Sequence, residues 1–191
     1  MRGIELIRTL QKLNKPFYAI SDLERITRLS RSSLYVALNR WVGRGILEKV
    51  TQGIYVPTRT NVSLEAIASQ LYIPNYLSFE SALNKHGILN LIPYTVAFAT
   101  TRKTRKYTLQ RRAVEFRQIA PDLFFGFEIR NGYYVALPEK AFLDQIYFMI
   151  RGKATLDSDE LNIKRLSYPT LKDLSRRFPS YVQNYIDKMS V

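Results

Sequence analysis

Arg31, Ser32, Ser33, Tyr35, Asn39 and Arg40 crowd one short segment of this chain, with Val36 among them. A guanidinium offers forked donors that suit phosphate oxygens or the guanine edge, and a carboxamide can both donate to and accept from an adenine edge. Small hydroxyls let a backbone approach a groove closely. A few residues on, Arg44, Lys49, Thr51 and Gln52 supply further donors around a Gly-containing turn. The chemistry on offer is contact with a polyanion carrying base edges. No side-chain set for catalysis competes with it. Cysteine is absent, which removes thiol nucleophiles, disulfides and cysteine-rich zinc sites.

The elements that must hold these side chains follow from apolar spacing. Ile4, Leu6, Ile7, Leu10 and Leu13 recur at helical intervals and stop at Asn14-Lys15-Pro16. Ser21-Asp22-Leu23-Glu24 has the form of a capping box, so a second helix is expected to start at Ser21, with Leu23, Ile26 and Leu29 along its apolar edge. Ser30 caps a third helix reaching about Val42, in which Leu34, Ala37, Leu38 and Trp41 form an inward stripe. Its first turn carries Arg31 and no acid, an arrangement that opposes the helix dipole and that a bound phosphate would relieve. Gly43 and Gly45 end the helix; Ile46 to Val50, a Thr51-Gln52-Gly53 turn and Ile54 to Pro57 read as a β-hairpin. Three helices followed by a hairpin is the order of a winged helix-turn-helix, expected over residues 1–60.

Charge agrees with a polyanionic partner. The 191 residues hold 29 Lys and Arg against 16 Asp and Glu, a net +13. Residues 1–60 contribute +7 and residues 61–191 contribute +6, the latter from Arg102, Lys103, Arg105, Lys106, Arg111 and Arg112, with no acid among them. This second basic patch, with Tyr107 inside it, is either a solvated hairpin or a surface for phosphates, RNA or a protein partner. No stretch approaches the roughly 18 to 20 apolar residues of a membrane span, and no secretory pattern opens the chain. The expectation is a cytoplasmic protein with no membrane association.

From residue 61 the pattern becomes mixed. Helical segments are expected over Leu64 to Leu71, Tyr76 to Gly87 and Glu139 to Arg151, with later pieces around Thr170 to Arg177 and Tyr181 to Met189. Strands are expected over Tyr94 to Thr100, Ala113 to Ile119, Phe125 to Arg130 and Tyr133 to Leu137, the last two joined at Asn131-Gly132. The fold class is α+β, a winged helix-turn-helix followed by a mixed α+β domain over residues 61–191.

Tyr76-Leu77-Ser78 with Ser81-Ala82-Leu83 and His86-Gly87, followed by Leu137-Pro138-Glu139-Lys140-Ala141-Phe142-Leu143-Asp144, resembles the core of AbiEi-type antitoxins of type IV toxin-antitoxin, abortive-infection systems. The resemblance covers roughly residues 1–150. It implies a repressor that binds double-stranded DNA at its own promoter and neutralises a nucleotidyltransferase toxin, or meets that toxin's RNA or nucleotide target. No cofactor and no metal are expected. A stand-alone repressor with a ligand-sensing second domain is the alternative. A nucleic-acid-processing enzyme is a weaker one, because its supports are thin. The single histidine, His86, has no implied catalytic partner and suits a helix end. Pro121-Asp122 with Glu128-Ile129-Arg130 only faintly follows a metal-dependent nuclease pattern and reads better as a turn and a strand. Catalytic residues: none are expected.

Overall fold

The computed structural model describes residues 3–189. The protein is α+β, and its described residues divide into two compact units. One extends to Leu71 and includes Tyr107–Arg112; the other comprises Tyr72–Lys106 and the chain from Ala113 onward.

The first unit opens with α1 (Gly3–Leu13), whose Leu6 and Leu10 are buried, and continues through a short β1 (Tyr18–Ala19). Helix α2 (Ile20–Thr27) starts before the expected Ser21. Its N-cap position is Ala19, which offers no capping side chain; Asp22, at the third helical position, reaches back so that its carboxylate accepts from the Ala19 amide at 3.1 Å and from Lys15 Nζ at 3.0 Å. Ser21, expected as the cap, is instead the second residue inside the helix. Helix α3 (Arg31–Gly43) is capped as expected, Ser30 Oγ accepting from the Ser33 amide at 3.4 Å.

Next come β2 (Leu47–Thr51) and β3 (Ile54–Pro57), antiparallel, with an irregularity between Lys49 and Thr51 and the turn at Gln52-Gly53. Gly53 has φ +80°, a conformation that this turn needs and that side chains disfavour. The sheet order is β1-β3-β2. Leu6, Leu10, Tyr18, Leu23, Leu34, Ala37, Leu38, Trp41, Leu47 and Tyr55 form one core, so each helix contributes its apolar stripe to the same interior. Tyr18 is fully buried, and its hydroxyl donates to the Leu10 carbonyl at 2.7 Å. Helix α4 (Leu64–Ser69), capped by Ser63, also lies in this unit, although sequence pattern groups it with the chain that follows.

The remaining strands build a six-stranded mixed sheet. Tyr76-Leu77, expected to begin a helix, form β4 instead; the helix proper, α5 (Phe79–Lys85), starts after Ser78 and ends at His86-Gly87. Then follow β5 (Thr95–Thr100), β6 (Arg105–Leu109), β7 (Arg112–Gln118), β8 (Phe127–Arg130) and β9 (Tyr133–Ala136), in the sheet order β6-β7-β5-β4-β9-β8. The β8–β9 hairpin turns at Asn131-Gly132, with φ +52° and +84°, as the dipeptide predicts.

Helix α6 (Pro138–Ile150) is buried along ten consecutive residues, Glu139 to Phe148. It is a central helix, enclosed on every face rather than amphipathic. Helices α7 (Tyr168–Ser175) and α8 (Ser180–Met189) pack against it. Aromatic pairs fill the sheet interior, Tyr76 stacking on Phe127 at 4.6 Å and Phe98 on Phe116 at 5.1 Å between ring centroids. Among the described residues, no helix is long and apolar enough to cross a membrane.

Candidate nucleic-acid interface

Four buried residues of α3, Leu34, Ala37, Leu38 and Trp41, fix which way the helix faces. Arg31, Ser32, Ser33, Tyr35, Val36, Asn39 and Arg40 are consequently all exposed. They are not equally available. Ser33 is partly spent on the cap, its hydroxyl accepting from Ser30 Oγ at 3.0 Å. Arg31 lies 3.9 Å from Glu24 on α2, a loose and exposed pair that answers some of the dipole conflict without a ligand. Asn39 and Arg40 have no side-chain partner among the described residues.

The same holds at the hairpin: Arg44, Lys49, Thr51 and Gln52 are exposed and their side chains are unpaired among the described residues. Arg44 shares a small cleft of about 250 Å³ with Arg59, a cation that the sequence pattern does not single out because it stands beyond the hairpin in an irregular segment. Elsewhere in this unit Asp22 holds both Lys15 and Arg25, while Arg8, Lys12 and Arg28, like Arg59, have no side-chain partner among the described residues. Burial pushes the Asp22 carboxyl up, but hydrogen bonds from Lys15 and the Ala19 amide, with the charges of Lys15 and Arg25, leave it below the ordinary carboxylate value.

The basic run from 102 to 112 is not one patch. Arg102 and Lys103 precede β6, and the run continues through β6, the turn at Gln110-Arg111 and the start of β7, a hairpin at the edge of the sheet. Arg102 and Arg105 lie over the Tyr72 ring at 4.4 and 5.0 Å, and Arg102 also donates to the Ile73 carbonyl at 3.2 Å. Lys106 pairs with Glu115 at 3.2 Å. Lys103 is exposed with its ammonium unpaired among the described residues. Arg111 and Arg112 belong to the first unit, where Glu48 accepts from the Gln110 amide through both carboxylate oxygens at 2.9 and 3.0 Å.

A second constellation is one that spacing does not disclose. Lys140 and Asp144, one turn apart on α6, form an ion pair with no exposure of either side chain. Tyr76 Oη donates to Asp144 Oδ2 at 2.9 Å, Ser78 Oγ donates to the same oxygen at 2.7 Å, and Lys140 Nζ donates to Tyr76 Oη at 2.8 Å. The rings of Phe125 and Phe178 each lie 5.0 Å from the ammonium. Burial pushes the Lys140 ammonium below its ordinary value despite the opposing Asp144 charge, and burial with the neighbouring carboxylate raises the Tyr76 phenol well above its own. Every polar atom in the set has a partner, and none of the four side chains reaches solvent. This is the arrangement of an interior brace.

The remaining candidates resolve into structure. His86 is a helix-end residue whose Nε2 lies 2.8 Å from the Ala136 carbonyl. Asp122 sits in a single turn of 3-10 helix, and Glu128 pairs with Arg130 on β8. A cleft of about 530 Å³ in the second unit includes Arg117, but that guanidinium is already met by Glu80 at 2.9 Å and Glu115 at 3.0 Å. No group of three or more His, Asp or Glu positioned to hold a metal occurs among the described residues. No family model matches the chain, and no curated protein matches it.

Proposed function

We propose that the first unit is a winged helix-turn-helix that binds double-stranded DNA, and that the chain is a non-enzymatic transcriptional regulator of its own promoter. One observation carries this: Asn39, Arg40, Arg44, Lys49, Thr51 and Gln52 are exposed and without side-chain partners among the described residues, grouped on α3 and the hairpin beside it. Unspent donors on a projecting helix suit base edges and phosphates. Binding of the purified chain to a duplex from upstream of its own reading frame, against an unrelated duplex at fixed salt, tests it. Arg31→Ala with Arg40→Ala should remove most of the difference between the two. Undiminished discrimination would take α3 out of the interface.

A second role rests on the AbiEi-type resemblance, namely neutralisation of a nucleotidyltransferase toxin by the second unit. What supports it is that the two segments bearing the resemblance, Tyr76-Leu77-Ser78 and Leu137 to Asp144, share one hydrogen-bonded interior. Co-expression with an adjacent nucleotidyltransferase gene tests it, rescue of growth being the expected result.

A further inference from the structure

Helical residues advance by roughly 100° each, so the buried stripe of α3 defines a line directly opposite it. That line is Ser32, Val36, Asn39 and Gly43. The long cations Arg31 and Arg40 fall to its sides. Two features of the line have no explanation in the free protein. Val36 is 71% exposed in mid-helix, where a β-branched side chain lowers helix propensity and here packs on nothing in return. Gly43 does not have the positive φ that would call for glycine, and a Cβ added there would meet nothing within 4 Å. Neither the backbone nor the packing requires glycine at that position. Small residues therefore stand at both ends of the line, an apolar branched residue and an unpaired carboxamide stand at its centre, and the charges are displaced to the flanks.

Resting on the winged-helix assignment above, we infer that Val36 and Asn39 are the residues that set sequence preference, and that they read neighbouring A·T pairs in the major groove. The Val36 methyls pack against the C5-methyl of thymine, the one apolar group a base pair presents there, and Asn39 makes paired hydrogen bonds to N6 and N7 of adenine. Their separation of three residues is about 4.5 Å along the helix axis, a span of one to two base-pair steps. Ser32 and Gly43 permit the approach; Arg31 and Arg40 reach the phosphates on either side.

Selection of bound duplexes from a random-sequence pool by the full chain, followed by single-atom edits of the enriched site, tests the inference. Replacing the contacted thymine by deoxyuridine removes only the methyl; it should weaken the wild type about fourfold and leave Val36→Ala unaffected. Adenine replaced by 7-deazaadenine should weaken the wild type and leave Asn39→Ala unaffected. Both positions are exposed, so both variants keep the core intact. Equal losses in wild type and variant, indifference of the wild type to every edit, or an enriched site of G·C pairs alone would overturn it while leaving DNA binding by α3 standing. A pool that yields no preferred sequence would overturn the proposed promoter-specific regulation and this inference with it.

Discussion

Ser78 and Asp144, 66 positions apart in sequence, meet at 2.7 Å in the interior of the second unit, where Asp144 also accepts from Tyr76 and pairs with Lys140. The pair joins the end of a short central strand to the longest buried helix. A carboxylate this enclosed is tolerable only with its full set of donors, and losing one partner of a buried charge pair costs far more than the pair contributes.

Asp144→Ala should therefore destabilise the second unit by about 3 to 5 kcal/mol, leaving an uncompensated ammonium. Replacing the whole set, Lys140→Met and Asp144→Leu with Tyr76→Phe and Ser78→Ala so that no hydroxyl is left without its acceptor, should recover most of that loss. Urea unfolding monitored in the far ultraviolet distinguishes the two outcomes, and a single variant within about 1 kcal/mol of wild type would mean the brace is not needed.

Gly126 stands against the same lysine. Its φ is +70°, and an added Cβ would lie 3.0 Å from Lys140 Cγ. Gly126→Ala meets both a disfavoured backbone conformation and a side chain that its own hydrogen bonds prevent from yielding. The expected cost is more than about 1 kcal/mol, read as a lowered Tm.

Acid should weaken both units through particular carboxylates. Burial raises Glu115, but the hydrogen bonds and charges of Arg117 and Lys106 bring it below its ordinary value, as Lys15 and the Ala19 amide do for Asp22. On acidification the unfolded chain takes up these protons first. Their stabilisation is present above the ordinary carboxylate range and is lost as pH falls through it toward the depressed folded values. Glu115→Gln and Asp22→Asn should each flatten the dependence of stability on pH below about 5; an unaltered slope would assign acid sensitivity elsewhere.

Much of α3 was legible because its cap, stripe and exposed face lie within a few turns of one another. The start of α2 was not, because its N-cap position is filled by Ala19, which gives no side-chain signal, while Asp22 does the same work from inside the first turn. Lys140 and Asp144 have the spacing of an ordinary surface ion pair on a helix. Nothing local reveals that the turn is enclosed, since the groups that enclose it come from β4, from Phe125 and from Phe178. Strand β6 was hidden by its own charges, which mask the alternation that marks a half-buried strand.

Under the proposed DNA-binding function, the basic run should contribute less to affinity than its charge implies. Four phosphate contacts would add about 3.6 to the slope of log K against log salt. Arg102, Arg105 and Lys106 already serve Tyr72 and Glu115. Replacing Arg102, Lys103, Arg105 and Lys106 by Ala should accordingly lower the slope by about one contact's worth. A fall near the full value would establish the strand as a phosphate-binding surface.

Strand β6 stands at one end of the strand order of its sheet. Such a margin is a template for another polypeptide, and lysine and arginine along it repel a second copy before strand pairing can begin. At the opposite margin β8 carries Glu128 and Arg130. The positive charge of β6, carried by Arg105 and Lys106, is expected to act in this way whatever else it contacts: replacing both by Ala should increase self-association, read by light scattering beside the parent chain.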